Sequence, residues 1–167
     1  FLASLPFFAD VLSAEQIDTL IDGAHRADFD RGATIIRQRD AGDSLFVVMQ
    51  GSVTVSIHDA GMDRTVATLR SGDIFGEMSL LTGAPRAATV VAQTPAVTLE
   101  IDRSAMRPLI DAQPSLSDRF AGILETRQAE LEQLYGPGFL PFYGRQLRDL
   151  GTIIRSYFGV TGNTKPD

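Results

Sequence analysis

Cysteine and tryptophan are absent from this chain of 167 residues, and it holds only two histidines. Without cysteine there is no disulfide framework and no thiolate zinc site. A reducing compartment is compatible with that composition. His25 and His58 stand far apart in different contexts, which argues against a metal centre built from histidines and a carboxylate. Cations are scarce as well: 15 Lys and Arg against 21 Asp and Glu leave a formal charge of −6. Nucleic acid is therefore not the expected main partner, because affinity for a phosphate backbone comes from an excess of Lys and Arg. No apolar run approaches the roughly 20 residues that span a bilayer. No basic-then-apolar leader opens the chain. Phosphate-loop and nucleophile-elbow motifs are missing too, and no spacing of Asp, Ser and Glu singles out a triad. The chain is not expected to be an enzyme. It begins at Phe1 without an initiator methionine, as expected of a fragment of a longer parent.

What is present falls into three zones. Phe1 to Ala24 is helical in pattern: Ser13 with Gln16 three residues later has the form of a capping box, and Ile17, Leu20, Ile21 and Ala24 follow at helical spacing. Ahead of them Leu2, Leu5, Phe7, Phe8 and Leu12 form an apolar cluster around Pro6, expected to be a short helix or turn docked on the main body. From about Arg26 to Ile101, turn signals such as Gly42-Asp43, Gly51, Ala60-Gly61 and Gly72-Asp73 separate β-rich segments. Those segments are Thr34–Ile36, Leu45–Met49, Val53–Ile57, Thr65–Leu69, Ala88–Ala92 and Val97–Ile101. In the third of them Val53, Val55 and Ile57 alternate with Thr54 and Ser56, the pattern of a half-buried strand. The expected fold class is α+β, mainly β: a double-sheet jelly-roll β-barrel flanked by N-terminal and C-terminal helices.

The third zone is helical again. Asp102 is placed to cap a helix to about Asp111, and Pro114 marks a break. Leu116, Phe120, Ile123, Leu124, Leu131 and Leu134 line one stripe of a longer helix, which Gly136-Pro137-Gly138 stops after Tyr135. Their stripe suits a lid, a dimer seam or plain packing. Residues 145–158 form one more amphipathic pattern with Arg145, Arg148 and Arg155, for which a membrane surface, a neighbouring subunit and the domain itself are all open. A frayed tail is expected beyond Gly159.

The most specific chemistry lies in Phe75-Gly76-Glu77-Met78-Ser79-Leu80 and, shortly after, Pro85-Arg86-Ala87-Ala88-Thr89-Val90. Gly76 permits a tight backbone and close approach of a ligand. Glu77 to Leu81 is long enough for one helical turn whose free N–H groups suit an anion. Glu77 itself repels phosphate, so its fitting role is to accept hydrogen bonds from sugar hydroxyls, with a dipole-complementing cap as the plainer reading. Arg86 offers a charged fork to a phosphate oxygen, and the Ala87 N–H adds a donor. The plainer reading of Arg86 is a solvated surface charge.

On these strings the chain resembles the cyclic-nucleotide-binding domain family, which includes regulatory subunits of cAMP-dependent protein kinase, catabolite-activator transcription factors and cyclic-nucleotide-regulated channels. Residues Phe75–Leu81 with Pro85–Val90 resemble its phosphate-binding cassette, and Gly32, Gln38, Gly42-Asp43, Gly51, Val53 and Gly72-Asp73 match at its turns. The resemblance covers about Leu5 to Leu131. It implies a domain over 1–135, with a helical lead 1–24, a β-roll 26–101 and hinge and lid helices 102–135, followed by an amphipathic helix and tail over 136–167. It also implies that Glu77 binds the ribose 2′-hydroxyl, while Arg86 and the backbone at Gly76 and Ala87 hold the cyclic phosphate, with Met78 and Ser79 beside them. Members preferring cGMP often carry Thr directly after the cassette arginine; Ala87 stands there, which favours cAMP over cGMP. Val66 and Leu69 are candidates for the apolar wall against the base. Arg127 takes the place at which some prokaryotic channel relatives set a lid arginine that stacks on adenine; a solvated arginine is the other reading.

The resemblance also bears on the parent. No convincing basic recognition helix follows Leu131, and no Arg-rich pseudosubstrate precedes the domain. The expected parent is a bacterial, mechanosensitive-like or cyclic-nucleotide-regulated channel. That places the domain on the cytoplasmic side of the inner membrane, in a homo-oligomer gated by the ligand. A cupin enzyme and a nucleotide-free interaction module are the rivals from other classes; intact Glu77 and Arg86 speak against the second.

Overall fold

In the computed structural model the chain is described over residues 1–135 and 149–160, leaving aside the side chains of Leu131, Leu134 and Tyr135. The Gly136-Pro137-Gly138 stop, the Arg145–Arg148 part of the last helix and the tail beyond Val160 lie outside the described residues, as do the stripe positions Leu131 and Leu134.

The amino-terminal cluster folds as a 3-10 turn, Leu2–Ser4, and a short helix α1, Pro6–Ala9, with Pro6 in the first helical turn, where its missing N–H costs nothing. Helix α2, Ala14–Asp22, starts on the expected reciprocal cap: Ser13 Oγ accepts from the Gln16 N–H, and the Gln16 side chain accepts from the Ser13 N–H at 2.9 Å.

Eight strands follow, β1 His25–Phe29, β2 Thr34–Ile36, β3 Ser44–Gln50, β4 Ser52–Asp59, β5 Met62–Arg70, β6 Ile74–Phe75, β7 Thr89–Ala92 and β8 Ala96–Asp102. They form two antiparallel four-stranded sheets, ordered β1-β8-β3-β6 and β2-β7-β4-β5. The double-sheet roll with flanking helices is thus present. The β4–β5 hairpin closes on Ala60 and Gly61, both at positive φ (51° and 77°), the backbone of a two-residue turn that follows the twist of its strands. Strand β1 is an addition to the sequence reading. It holds Arg26 and Asp28 at a sheet edge and alternates only weakly, so hydrophobic periodicity could not reveal it; its ladder with β8 defines it.

Strand β3 explains why one segment reads as a continuous apolar run. Phe46 and Val48 face the other sheet and pack with Val53, Phe75, Val90, Ala92 and Ala96. Leu45 and Val47 face the opposite way, into a larger core shared with the helices. A strand buried on both faces has no polar side to show. Helix α3, Glu77–Thr82, leaves β6 directly, and α4, Arg103–Ala112, leaves β8 under the Asp102 cap, whose carboxylate accepts from the Ala105 N–H. Helix α5, Leu116–Tyr135, buries Leu116, Phe120 and Leu124, with Ile123 half-buried, against that larger core. Helix α6, Leu150–Phe158, adds Leu150, Ile154 and Phe158 to it, so the described part of the last helix packs on its own domain. Among the described residues no helix is long and apolar enough to cross a membrane.

The two kinds of support differ in size. Phe120 is fully buried with its ring 5.5 Å from that of Phe7, so Phe120→Ala is expected to cost about 3–5 kcal/mol. Ser13→Ala removes only a cap and is expected to cost about 1 kcal/mol. Urea unfolding of the two variants beside the parent chain measures both; equal midpoints would contradict the assignment of the helical core.

Candidate functional site

Between the second sheet and the α3 segment lies a cavity of about 110 Å³. Its walls include Gly76, Glu77, Met78, Ser79, Arg86, Ala87 and Arg127, and also Val66 and Leu69. All the residues singled out from the sequence therefore border one space. Val55, Ala67 and Val90 add apolar wall from the strands, and Ile36 closes one side.

Arg86 comes from the loop before β7, yet it is only 6% exposed. This overturns the plainer reading of it as a solvated charge. Its Nη1 donates to the Ser44 carbonyl and, at 3.4 Å, to the Gly76 carbonyl; its Nη2 donates to Ser44 Oγ at 2.9 Å. The guanidinium carbon lies 5.8 Å from the centre of the Phe46 ring, which itself stacks on Phe75 at 5.1 Å. Burial pushes the Arg86 pKa below the ordinary arginine value, and the fields of Glu100, Asp43 and Glu77 act in the opposite direction. Among the described residues its bonds go to neutral oxygens, so the charge is held in place there without a direct ion pair.

Two glycines make that seat. Gly42 passes so close that a Cβ there would overlap the Arg86 guanidinium. Gly76 caps α3 at φ +83°, and a Cβ on it would stand 2.8 Å from Arg86 Nη1 and 2.9 Å from the Ser44 carbonyl oxygen. Ser44, which seats Arg86, is not singled out by the sequence. Its only signal was its place directly after Gly42-Asp43.

Glu77 occupies the first turn of α3 and is 6% exposed. Its Oε1 lies 3.1 Å from Arg127 Nε, and Arg127 Nη2 donates to the Ile74 carbonyl at 2.8 Å. Arg127 is thus neither a free solvated side chain nor an open lid: α5 reaches into the cavity wall and occupies the carboxylate of α3. Met78 and Ser79 are buried in the same turn, and Ala87 and Ala88 line the wall next to Arg86.

A buried cation at one place, a buried carboxylate at another and apolar strand residues between them suit a small ligand with an anionic group, hydroxyls and a flat apolar part. Comparison with known proteins agrees: the family described as the cyclic nucleotide-binding domain matches residues 26–113. The chain belongs to that family. Among relatives of this cyclic nucleotide-binding domain, the cAMP-dependent protein kinase regulatory subunit of Mycosarcoma maydis is 32% identical over 158 residues, covering 93% of this chain and 29% of the relative. A cyclic nucleotide-gated potassium channel of Rhizobium etli is 30% identical over 136 residues, covering 81% of this chain and 35% of the relative. The crystal structure of the Thermus thermophilus catabolite activator protein superposes with a TM-score of 0.66 at 32% identity, covering 77% of this domain and 60% of that chain. The domain spans less than two thirds of the length of each of these relatives. Cyclic nucleotide-binding domains are sensor modules, and this chain is one.

The Ser44 seat gives a direct test. Ser44→Ala removes the hydroxyl acceptor of a buried cation, a charged hydrogen bond worth about 1.5–3 kcal/mol, and should lower stability by that order. Chemical denaturation reads the change; an unaltered midpoint would mean that the Ser44 hydroxyl does not help to hold Arg86.

Proposed function

We propose that this domain is a cAMP sensor that regulates an attached effector. The observation that carries the reading is Arg86: a cation withdrawn from water and oriented by Ser44 and Gly76, with no carboxylate in direct ion-pair contact among the described residues. Burying a charge without a counter-charge is costly, and a cyclic phosphate bound beside Arg86 would supply that counter-charge. Gly76 and Ala87 give the phosphate close backbone approach, with Met78 and Ser79 forming the turn around it. Glu77 takes the ribose 2′-hydroxyl. The base lies against Val66 and Leu69, and Ala87, which brings no hydroxyl to a guanine amino group, favours cAMP over cGMP.

The cavity of about 110 Å³ is smaller than the roughly 300 Å³ at which small-molecule pockets begin. Binding therefore has to widen it, and Arg127 is the side chain in the way. In the proposed sequence the ribose replaces Arg127 at Glu77, α3 moves with the ligand, and Arg127 is freed to stack on adenine as α5 closes. The ligand drives output only to the extent that it binds the rearranged state more tightly than the narrow one.

For the effector we propose a bacterial membrane channel, with this domain on the cytoplasmic side of the inner membrane and several copies in the parent. The support is the similarity to the Rhizobium etli channel. A kinase regulator or a transcription factor is the alternative, supported by the Mycosarcoma and Thermus relatives; the sensor chemistry is common to all three.

Calorimetric titration with cAMP and with cGMP is expected to show tighter binding of cAMP. Loss of one charge-assisted contact of roughly 1.5–3 kcal/mol predicts that Arg86→Ala weakens cAMP binding on the order of 10- to 100-fold. Unaltered binding in that variant would remove Arg86 from the site. For the effector, ion flux through liposomes carrying the intact parent should respond to cAMP; flux indifferent to nucleotide would exclude the channel.

A further inference from the structure

Helix α6 lies beyond the residues 26–113 that define the family match, yet it is fastened to the parts that the ligand must move. It packs against α3, α4 and α5 together. Leu150, Ile154 and Phe158, four residues apart, enter the core. On the neighbouring face Tyr157 covers the end of α3: a Cβ on Gly83, the residue that terminates α3, would run into the Tyr157 ring. The Arg103 guanidinium sits 4.3 Å from the centre of that ring and donates to the Tyr157 carbonyl. Arg155 pairs with Asp118 in the first turn of α5.

Arg103 also joins this fastening to the seat of Arg86. Its backbone N–H donates at 2.9 Å to the carbonyl of Asp43, the neighbour of Ser44. Because α3 is only six residues long, Glu77 at its start and Gly83 at its end cannot shift independently. A helix that holds the far end of α3 therefore holds the carboxylate that Arg127 now occupies.

We propose that α6 is an autoinhibitory strap: while docked on α3, α4 and α5 it keeps the cavity narrow, so α6 docking and cyclic-nucleotide binding oppose each other. This rests on the cyclic-nucleotide reading of the cavity, but the restraint of α3 by α6 exists without any ligand and is measurable without one.

The chain has no cysteine, which permits a reversible lock. A Cβ on Gly151 would fall 3.3 Å from Asp118 Cγ, the atom whose place a cysteine sulfur at 118 would take, so Asp118→Cys and Gly151→Cys are within reach of a disulfide. In the double variant, with the bond verified by mass, the oxidised form should bind cAMP on the order of 10-fold more weakly than the reduced form. Amides of α3 should exchange with deuterium several-fold more slowly in the ligand-free oxidised form. Tyr157→Ala, which frees the end of α3 without a cross-link, should act oppositely: faster α3 exchange and tighter cAMP binding. If neither form of the chain binds cAMP while α3 exchange follows the lock, the nucleotide reading fails and the restraint stands. If α3 exchange and affinity are the same in oxidised and reduced protein and in Tyr157→Ala, the strap is overturned.

Discussion

A single guanidinium organises the middle of this molecule. Arg86 leaves a loop, enters the space beside β3 and is caught by both oxygens of Ser44 and by the Gly76 carbonyl. Each of those partners belongs to a different constraint. Ser44 opens β3, the strand that divides the inter-sheet core from the helical core. Gly76 is the left-handed residue from which α3 departs. A buried charge tolerates little displacement, because each lost hydrogen bond exposes a full desolvation penalty. Strand, cassette turn and loop are thereby held to one geometry.

The same economy explains why the cavity is small. Three ionisable side chains border it: Glu77 is paired with Arg127, whereas Arg86 is oriented by neutral oxygens. An incoming anion meets a prepared cation, while a hydroxyl donor must compete with an arginine from α5. The site is asymmetric, open in charge at one end and self-occupied at the other. In the proposed binding sequence that asymmetry would link binding to helix movement, since Arg127 belongs to the long helix. Coupling of this sort needs a ligand that distinguishes two arrangements, and under the proposal the Arg127–Glu77 pair belongs to one of them.

Much of this was legible in the residues themselves. The Ser13–Gln16 box and the Asp102 cap are local devices, complete within three residues, and both are present. The β-rich segments were visible because strands with one solvated face alternate and the strand with two buried faces does not. Strand β1 was not visible, since its charged edge carries no apolar period and it owes its form to β8. The cassette residues were identifiable as a group, and they do share one cavity. Ser44 was not, because its place after the Gly42-Asp43 turn does not by itself name an arginine 42 positions away as its partner.

The sequence alone determined which side chains are available, where local caps and turns fall, and which carboxylate and arginine to pair as a candidate site. These follow from interactions that act over a few residues or from residue chemistry itself. Only the tertiary structure decided that Arg86 is buried on the oxygens of Ser44 and Gly76, that Arg127 already occupies Glu77, and that α6 reaches back to the end of α3. Each of those depends on strand register and helix packing bringing distant segments within hydrogen-bond reach. A charge's environment, unlike its identity, is set by everything that folds around it.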